Sequence, residues 1–374
     1  MAYLTSPLTT YSDTTPQKRM ITDVISLIDP SDAPMVQALG GLDGASGKFR
    51  FVNAMEKVVE WLEDTLIGLT GALNGSITST ATTITASDGD NFQEGHIILI
   101  DSEYMWVSSV NNATEVLTVT RAFQGSSASH ADTVAIAIVG MARLEGAESD
   151  DIAFTDRTTG SNFTQILHQE VKVARTQNQI AQYGISDEMA YQGDKVVPSQ
   201  MRLLERHFFY NTVAKAGSVT TPRAMGGYQA FVTTNKVSGA TLAQSQFENA
   251  VMSAYTAGSS GPWDAICAPT NLQKVKNFYD SSNFLRVDRT EDTVGVVIER
   301  ILTPYGTVDL LLDRWAKTTE IPLIDPKHAG FITFYPFTQK MLAEGGDYQK
   351  SEVVGEFTLA LRQDKAHAIL TNVS

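Results

Sequence analysis

Between residues 70 and 141 the chain contains no Pro, no Lys and no Cys and is dense in Ser, Thr and β-branched residues, and this window most limits what the whole can become. Alternation at Ile98 and Ile100, and again at Leu117 and Val119, marks half-buried strands. Turn clusters at 87–90, 111–112 and 124–127 punctuate the window. The pattern predicts a small all-β module inserted into a host domain. Seven acidic residues (Asp88, Asp90, Glu94, Asp101, Glu103, Glu115, Asp132) stand against Arg121 alone, which leaves a balance of -6 and no electrostatic hold on nucleic acid.

The sequence on either side reads as α+β. Pro16 suits a first helical turn, and Met20, Val24, Leu27 and Ile28 recur at helical spacing until Asp29-Pro30. A second short helix starts at Ser31 or Asp32, with Pro34 early in it, and ends at Gly40-Gly41. Residues 48–60 alternate in part, as an extended arm would. Ser186, followed by Asp187 and Glu188, predicts the cap of a long helix that Pro198 interrupts or kinks, with Leu204, Phe208 and Val213 continuing an apolar stripe to Gly217. Phe247, Val251 and Tyr255 define another helix from Gln244, capped at Gly258. Beyond it come a buried strand at 263–268, a helix at 271–279, two strands within 294–312 joined by Pro304-Tyr305-Gly306, and strands at 331–335 and 352–361 with Gly345-Gly346 between them. The order of elements is not a regular βαβ repeat.

At 374 residues two or three folding units are expected. Hydrophobic residues at 43% and charged residues at 19% are ordinary for a globular chain, so it is expected to fold. The formal net charge of -14 makes polyanions, acidic substrates and membranes poor matches for the chain as a whole. A single cysteine, Cys267, excludes an intramolecular disulfide and points to a cytosolic folding compartment and an inert core thiol. The first residues lack the basic-then-apolar pattern of a secretory signal, no apolar run approaches the ~18–20 residues of a membrane span, and the sequons at Asn74, Asn112, Asn162 and Asn372 carry no meaning without export.

Complete catalytic or metal motifs are missing. The histidines at 96, 130, 168, 207, 328 and 367 include no i, i+4 pair of the kind a zinc-binding helix uses. Gly47-Lys48-Phe49 fails as a phosphate loop, because Leu42 replaces the first glycine and Phe49 the hydroxyl residue. Gly258-Ser259-Ser260-Gly261 lacks nucleophile-elbow spacing. Carboxylate pairs such as Glu56 with Glu60, or Asp150 with Asp151, arise by chance among 42 acidic residues and read as solvated surface. Asp88, Asp90, Asp101 and Glu103 spell out no twelve-residue calcium loop. No catalytic, cofactor-binding or metal residue is therefore assigned, and no cofactor is expected; a hydrolase reading would rest on scattered carboxylates and histidines alone.

Taken in order, several segments carry a resemblance. They are Ile28-Asp29-Pro30-Ser31-Asp32-Ala33-Pro34-Met35; Asn162-Phe163-Thr164-Gln165-Ile166 followed by Val171-Lys172-Val173-Ala174-Arg175-Thr176-Gln177; and Ser186-Asp187-Glu188-Met189-Ala190-Tyr191-Gln192. Later come Pro222-Arg223-Ala224-Met225-Gly226-Gly227 with Thr233-Thr234-Asn235, Ile324-Asp325-Pro326-Lys327-His328, Pro336-Phe337, Val353-Val354-Gly355-Glu356-Phe357-Thr358-Leu359 and Lys365-Ala366-His367. Together, over roughly the whole chain outside the 70–141 window, they resemble the major capsid proteins of tailed bacteriophages.

The resemblance implies a Hong Kong 97-like major capsid fold plus an all-β insertion domain. Its expected parts are an N-arm (1–46), E-loop arms (47–69 and 142–172), the inserted β-domain (70–141), a peripheral domain with a spine helix (173–243 and 328–374) and an axial domain (244–327). It implies a non-enzymatic protein that self-assembles as hexamers and pentamers into an icosahedral shell around double-stranded DNA, without sequence-specific binding. Scaffolding and portal proteins, and a decoration protein, are the implied partners; there is no membrane partner. The expected place is the virion capsid, assembled in the bacterial host cytoplasm. The insert itself resembles a small β-module of assorted phage structural proteins, through Phe92, Gly95, Ile98-Leu99-Ile100-Asp101, Glu103, Thr118-Val119-Thr120-Arg121, Gly125 and His130-Ala131. It reads as a stabilising knob between subunits; the alternative is a phage surface or decoration protein whose β-insert binds a host glycan.

Overall fold

The computed structural model describes residues 33–42, 54–146, 155–180, 183–239, 241–280, 300–343 and 345–373. The chain divides into two compact units, one of residues 1–61 with 160–374 and the other of residues 62–159. The expected helix over 16–28 and the first part of the expected 48–60 arm lie outside the described residues.

In the larger unit the first described element is helix α1, Pro34–Ala38. It starts without a side-chain cap from Ala33, and Gly40 (φ 98°) and Gly41 (φ 74°) turn the chain out of it in left-handed conformations that suit glycine. The expected start at Ser31 or Asp32 lies outside the described residues, and two amides of the first turn, those of Met35 and Val36, are taken by Glu205. Strand β1, Val58–Glu63, pairs with strand β8, Thr158–Phe163, and the boundary between the two units crosses both strands.

The smaller unit contains strands β2 (Thr70–Ala72), β3 (Thr83–Thr85), β4 (His96–Ile100), β5 (Glu103–Asn111), β6 (Val116–Gln124) and β7 (Ala135–Met141). Their order in the sheet is β2-β7-β4-β5-β6-β3, with every pairing antiparallel. A bridge between Leu73 and Ala86, backed by Asn74 N–H to Thr85 O at 2.8 Å and Ser87 N–H to Ala72 O at 2.8 Å, joins the two edges and closes the sheet on itself. Closure removes the exposed edges that an isolated sheet this small would present. Alternation does the rest: Ile98 and Ile100, Met105 and Val107, and Leu117 and Val119 point inward with Phe92 and Ile136 to form one core.

The larger unit resumes with β8 (Thr158–Phe163), β9 (Gln165–Ala174), helix α2 (Arg175–Gln179) and the 23-residue helix α3 (Glu188–Tyr210). Asp187, not Ser186, caps α3, accepting the Met189 and Ala190 amides at 2.9 and 3.3 Å. Pro198 does not split the helix, and the stripe does not continue to Gly217. The helix ends at Tyr210, and Val213 is left exposed. Buried Val196, Gln200, Leu204, Phe208 and Phe209 hold α3 against the body on both sides of the proline, so packing overrides its local penalty.

Helix α4 (Tyr228–Phe231), strand β10 (Lys236–Ser238), helix α5 (Gln244–Thr256), strand β11 (Trp263–Cys267) and helix α6 (Pro269–Asp280) follow. Strands β12 (Arg300–Thr303), β13 (Gly306–Leu312), β14 (Glu320–Ile324), β15 (Ala329–Met341), β16 (Tyr348–Leu361) and β17 (Ala368–Thr371) complete the chain. Residues 294–299 of the expected strand pair lie outside the described residues. Two sheets result: a mixed one ordered β10-β17-β14-β11-β13-β12 and an antiparallel one ordered β15-β16-β9.

Strand β11 sits inside the mixed sheet, parallel to β13 and antiparallel to β14, and all five of its residues are buried. Trp263, Ala265 and Cys267 face the core made with α5 and α6, while Ile266 and Ala268 join the core that holds α1 and α3. Apart from Asp264, the strand reads as an apolar run rather than an alternating one, as a strand buried on both faces does.

The loop between α3 and α4 is fixed by Asn162 of β8. Its Nδ2 donates to Leu359 O at 2.7 Å and Gly226 O at 3.2 Å, and its Oδ1 accepts Gly226 N–H at 2.9 Å. A Cβ at Gly227 would lie 2.3 Å from the Phe208 carbonyl, so the close approach of that loop to the end of α3 requires glycine. Asn162→Ala strands buried polar groups on both sides and is expected to cost roughly 2–3 kcal/mol, read as a lowered midpoint in urea denaturation.

Candidate functional site

Among the described residues no group of three or more His, Cys, Asp or Glu side chains is placed to hold a metal ion. The histidines are scattered. His96 accepts the Gln93 amide, His168 is exposed beside Glu352, and His207 meets Gln165. His367 is fully buried, accepting the Asp325 amide at Nδ1 (3.0 Å) and facing Arg362 O through Nε2 (3.0 Å); burial pushes it down to about 4. His328 Nδ1 lies 3.1 Å from Asp325, whose carboxylate also takes the Ser259 hydroxyl and the Lys327 amide. These contacts pin the turn between β14 and β15.

Glu56, Glu60, Asp88 and Asp90 are exposed, and Asp150, Asp151 and residues 47–49 lie outside the described residues. Glu103, one of the four acids weighed for calcium, is instead consumed by protein partners. It sits at the inward position of β5 below Met105 and Val107, opposite Arg121 on β6, and both side chains are nearly free of solvent. Arg121 Nε and Nη2 donate to its two oxygens at 2.8 and 2.7 Å. The amides of Ala122 and Ala128 donate at 3.1 and 2.9 Å, and His130 Nε2 lies at 3.0 Å with its Nδ1 2.7 Å from Asp101. Burial alone would raise the Glu103 carboxyl, but Arg121, the two amides and His130 together bring it down to about 2. The arrangement is an ionic plug in the closed sheet, with its hydrogen-bonding capacity spent internally. The lone Arg among seven acids was the sequence signal for it.

A second, partly buried ion pair ties the loop before α4 to the antiparallel sheet. Arg223 bonds Glu356, its Nε donates to Thr164 O at 2.9 Å, and the Thr164 hydroxyl bonds Glu356. A third acidic site, Glu205 on α3 with Asp313 after β13, was not singled out by any local pattern; its signal was a carboxylate inside the apolar stripe of Leu204 and Phe208.

What the surface does present is bare apolar side chains, most of them on segments without regular secondary structure. Met55 is 84% exposed and Leu66 95% exposed, and Leu62, Leu69 and Leu144 are each about two-thirds exposed or more. In the larger unit Lys57, Ile166 and the loop 216–223 surround an open cleft of about 490 Å³, and Val219 on its rim is fully exposed. Scattered apolar residues need no explanation, but three leucines this exposed within residues 62–69 are more than scatter and make that segment a candidate contact surface.

Comparison with known proteins gives the context for these features. The family model described as SU10 major capsid protein matches residues 8–374. Among solved structures, the cyanophage A-1(L) capsid asymmetric unit aligns with a TM-score of 0.57 at 11% identity, covering 98% of this chain and 99% of that chain. The capsid of the native GTA particle aligns with a TM-score of 0.52 at 10% identity and 97% coverage of both chains. Microbacterium phage Oxtober96 gives 0.51 at 10% identity, with 98% and 99% coverage. No curated protein sequence matches. At these identities the structural likeness shows the fold, which is the mixed α+β, Hong Kong 97-like capsid fold.

Proposed function

The chain belongs to the SU10 major capsid protein family, and from that premise we propose that it is the shell-forming subunit of a tailed-phage head, assembling as hexamers and pentamers of itself into an icosahedral capsid around packaged double-stranded DNA. The observation that carries the proposal is the family match over residues 8–374. The bare apolar residues of the arms support it, because association with other copies supplies the cover that Leu62, Leu66 and Leu69 lack. One chain that occupies both five-fold and six-fold positions must meet neighbours at slightly different angles, which suits extended arms on a rigid body.

On this reading residues 1–46 act as the N-arm, 47–69 and 142–172 as the arms of the E-loop, 173–243 with 328–374 as the peripheral domain around α3, and 244–327 as the axial domain. Residues 70–141 act as a knob that steadies neighbouring subunits. The protein acts structurally and not as an enzyme. A net charge of -14 leaves the wall without attraction for DNA that a motor drives in, so packaging does not stall on it. Scaffolding and portal proteins, and a decoration protein, are its partners in the virion capsid, which is assembled in the bacterial cytoplasm. A glycan-binding role for the insert has less behind it, since Phe123 is the one exposed aromatic among its described residues and its arginine is turned inward.

Expression of the chain with and without a scaffolding protein, followed by electron microscopy and light scattering, tests the proposal. Shells, tubes or capsomer-sized rings are expected. A monodisperse monomer at high concentration under both conditions overturns it.

A further inference from the structure

Strand β9 lies at the edge of the antiparallel sheet. All ten of its residues pair with β16, and among the described residues its other side has no strand partner. A cleft of about 780 Å³ runs along that side. Every residue from Gln169 to Ala174 lines it, and successive residues of a strand face opposite ways, so the cleft follows the open edge rather than either face. Its far wall is one side of α3, where Glu188, Gln192, Lys195, Ser199 and Arg202 recur at helical spacing. Val171 and Val173 pack with Met189 and Val196, which holds strand and helix at a fixed separation. An open sheet edge of this kind takes an extended segment as an added strand.

The cleft favours an acidic occupant. Lys172 Nζ stands 3.6 Å from the centre of the Tyr348 ring and Lys195 Nζ 3.9 Å from that of Tyr191, contacts that orient each ammonium without neutralising it. The acids in the walls are engaged, Glu170 by Lys350 at 2.8 Å and Glu188 by the Gln192 side-chain amide at 2.6 Å. The chain itself carries a matching strand. Strand β1 has six residues, as many as β9 gives to the cleft, so both stretches run about 20 Å at roughly 3.3 Å per residue. Its one strand partner among the described residues is β8, and a two-stranded ribbon is marginally stable by itself. Glu60 and Leu62 share the exposed face of β1.

We propose that β1 of one copy lies along the open edge of β9 in a second copy, as the fourth strand of that sheet, with Glu60 among the ammonium groups of the cleft. The inference rests on the shell-forming reading and supplies a contact for it. Two different surfaces meet, so each copy gives β1 to one neighbour and receives β1 from another, and a head-to-tail contact of this kind closes into a ring where the rotation allows. It also covers an edge that would otherwise pair with any strand it met.

Thiol crosslinking of the full-length protein, in material assembled with and without a scaffolding protein, tests this. Cys267 is buried and stays silent. Glu60→Cys is combined in turn with Gln169→Cys, Lys172→Cys and Ala174→Cys, which samples the registers open to the added strand, and treated with a short bis-maleimide. For at least one pair the expected result is a ladder beyond the dimer, up to pentamer and hexamer, on denaturing gels. Glu60→Cys with Val219→Cys, in the other cleft, is expected to give none. Charge exchange is the second measurement, and serves if the cysteine variants do not assemble. Lys195→Glu and Glu60→Lys are each expected to lower the yield of particles in light scattering roughly tenfold, and the two together to restore most of it. Particles that give no ladder with any β9 pair, a ladder that stops at the dimer or is as strong with Val219→Cys, or a double variant no better than the single ones overturns this contact and leaves the shell-forming role standing. A wild-type chain that forms no particles under either condition overturns both.

Discussion

Trp263→Ala is expected to destabilise the larger unit by about 3–5 kcal/mol, the range for removing a fully buried tryptophan. The indole stands at the start of β11, has no solvent exposure, and donates from Nε1 to Ala366 O at 3.2 Å. Its ring fills the space left by two glycines: a Cβ at Gly261 would approach it to 2.8 Å and one at Gly306 to 2.9 Å. Neighbours that rigid cannot collapse into the void, which places the loss toward the upper end. Trp263→Phe keeps most of the volume and gives up the hydrogen bond, so a smaller loss is expected. Urea denaturation monitored by near-ultraviolet circular dichroism measures both, and equal midpoints for wild type and Trp263→Ala would contradict the packing described.

Glu103→Ala is expected to open the insert selectively, at a cost of about 3–5 kcal/mol, the range for breaking a buried ion pair by removing one partner. Arg121 and His130 would be left buried without the carboxylate that five donors share. Because the insert is a separate compact unit, exchange should rise across 70–141 while β11 and β16 keep their protection. The same group sets an acid limit. Its folded value, about 2, lies below the ordinary 4.5, so its contribution is present above 4.5 and is lost as pH falls toward 2. Insert protection that is constant from pH 7 to 5 and erodes below 4.5 is the expected profile, and Glu103→Gln should remove the low-pH erosion while lowering stability at neutral pH.

How far the sequence predicts these features depends on whether their causes are local. Strands were visible in the 70–141 window because alternation at Ile98, Ile100, Leu117 and Val119 is a local signal and the turn clusters bound them, whereas closure through Leu73 and Ala86 has no local signal. Helix α3 was visible for the same reason, although the cap moved by one residue to Asp187, whose side chain reaches the two free amides. The stripe misled at Val213. Helical spacing continues there, but Asn211 turns the chain, accepting Gly227 N–H at 2.8 Å and donating to Met225 O at 2.9 Å, and no local rule records that partner. Pro198 leaves the helix uninterrupted, since burial on both sides of it outweighs a penalty of about 3 kcal/mol.

The polar interior was hardest to foresee. Glu103 meets Arg121 only because strand register places Tyr104 opposite Gln124 and Trp106 opposite Thr120. Glu205 meets Asp313 and the α1 amides through tertiary packing alone. Asn162 was noted only as a sequon and as part of a resemblance, while its side chain joins Gly226 to Leu359. Pattern reading finds the faces of elements; it does not find which faces meet.

The central claim is that the arms of this chain are completed by other copies, and a single thiol reports on it directly. Cys267 is fully buried and its thiol is pushed up by burial to about 12, so it stays silent toward alkylating reagents near neutral pH. Leu66→Cys therefore introduces the one reactive thiol, at a position that is 95% exposed in the isolated chain. Labelling is expected to be fast in dissociated subunits and slowed on the order of a hundredfold or more in assembled shells, as burial under a neighbour requires. Equal labelling rates in shells and in free subunits would contradict the account.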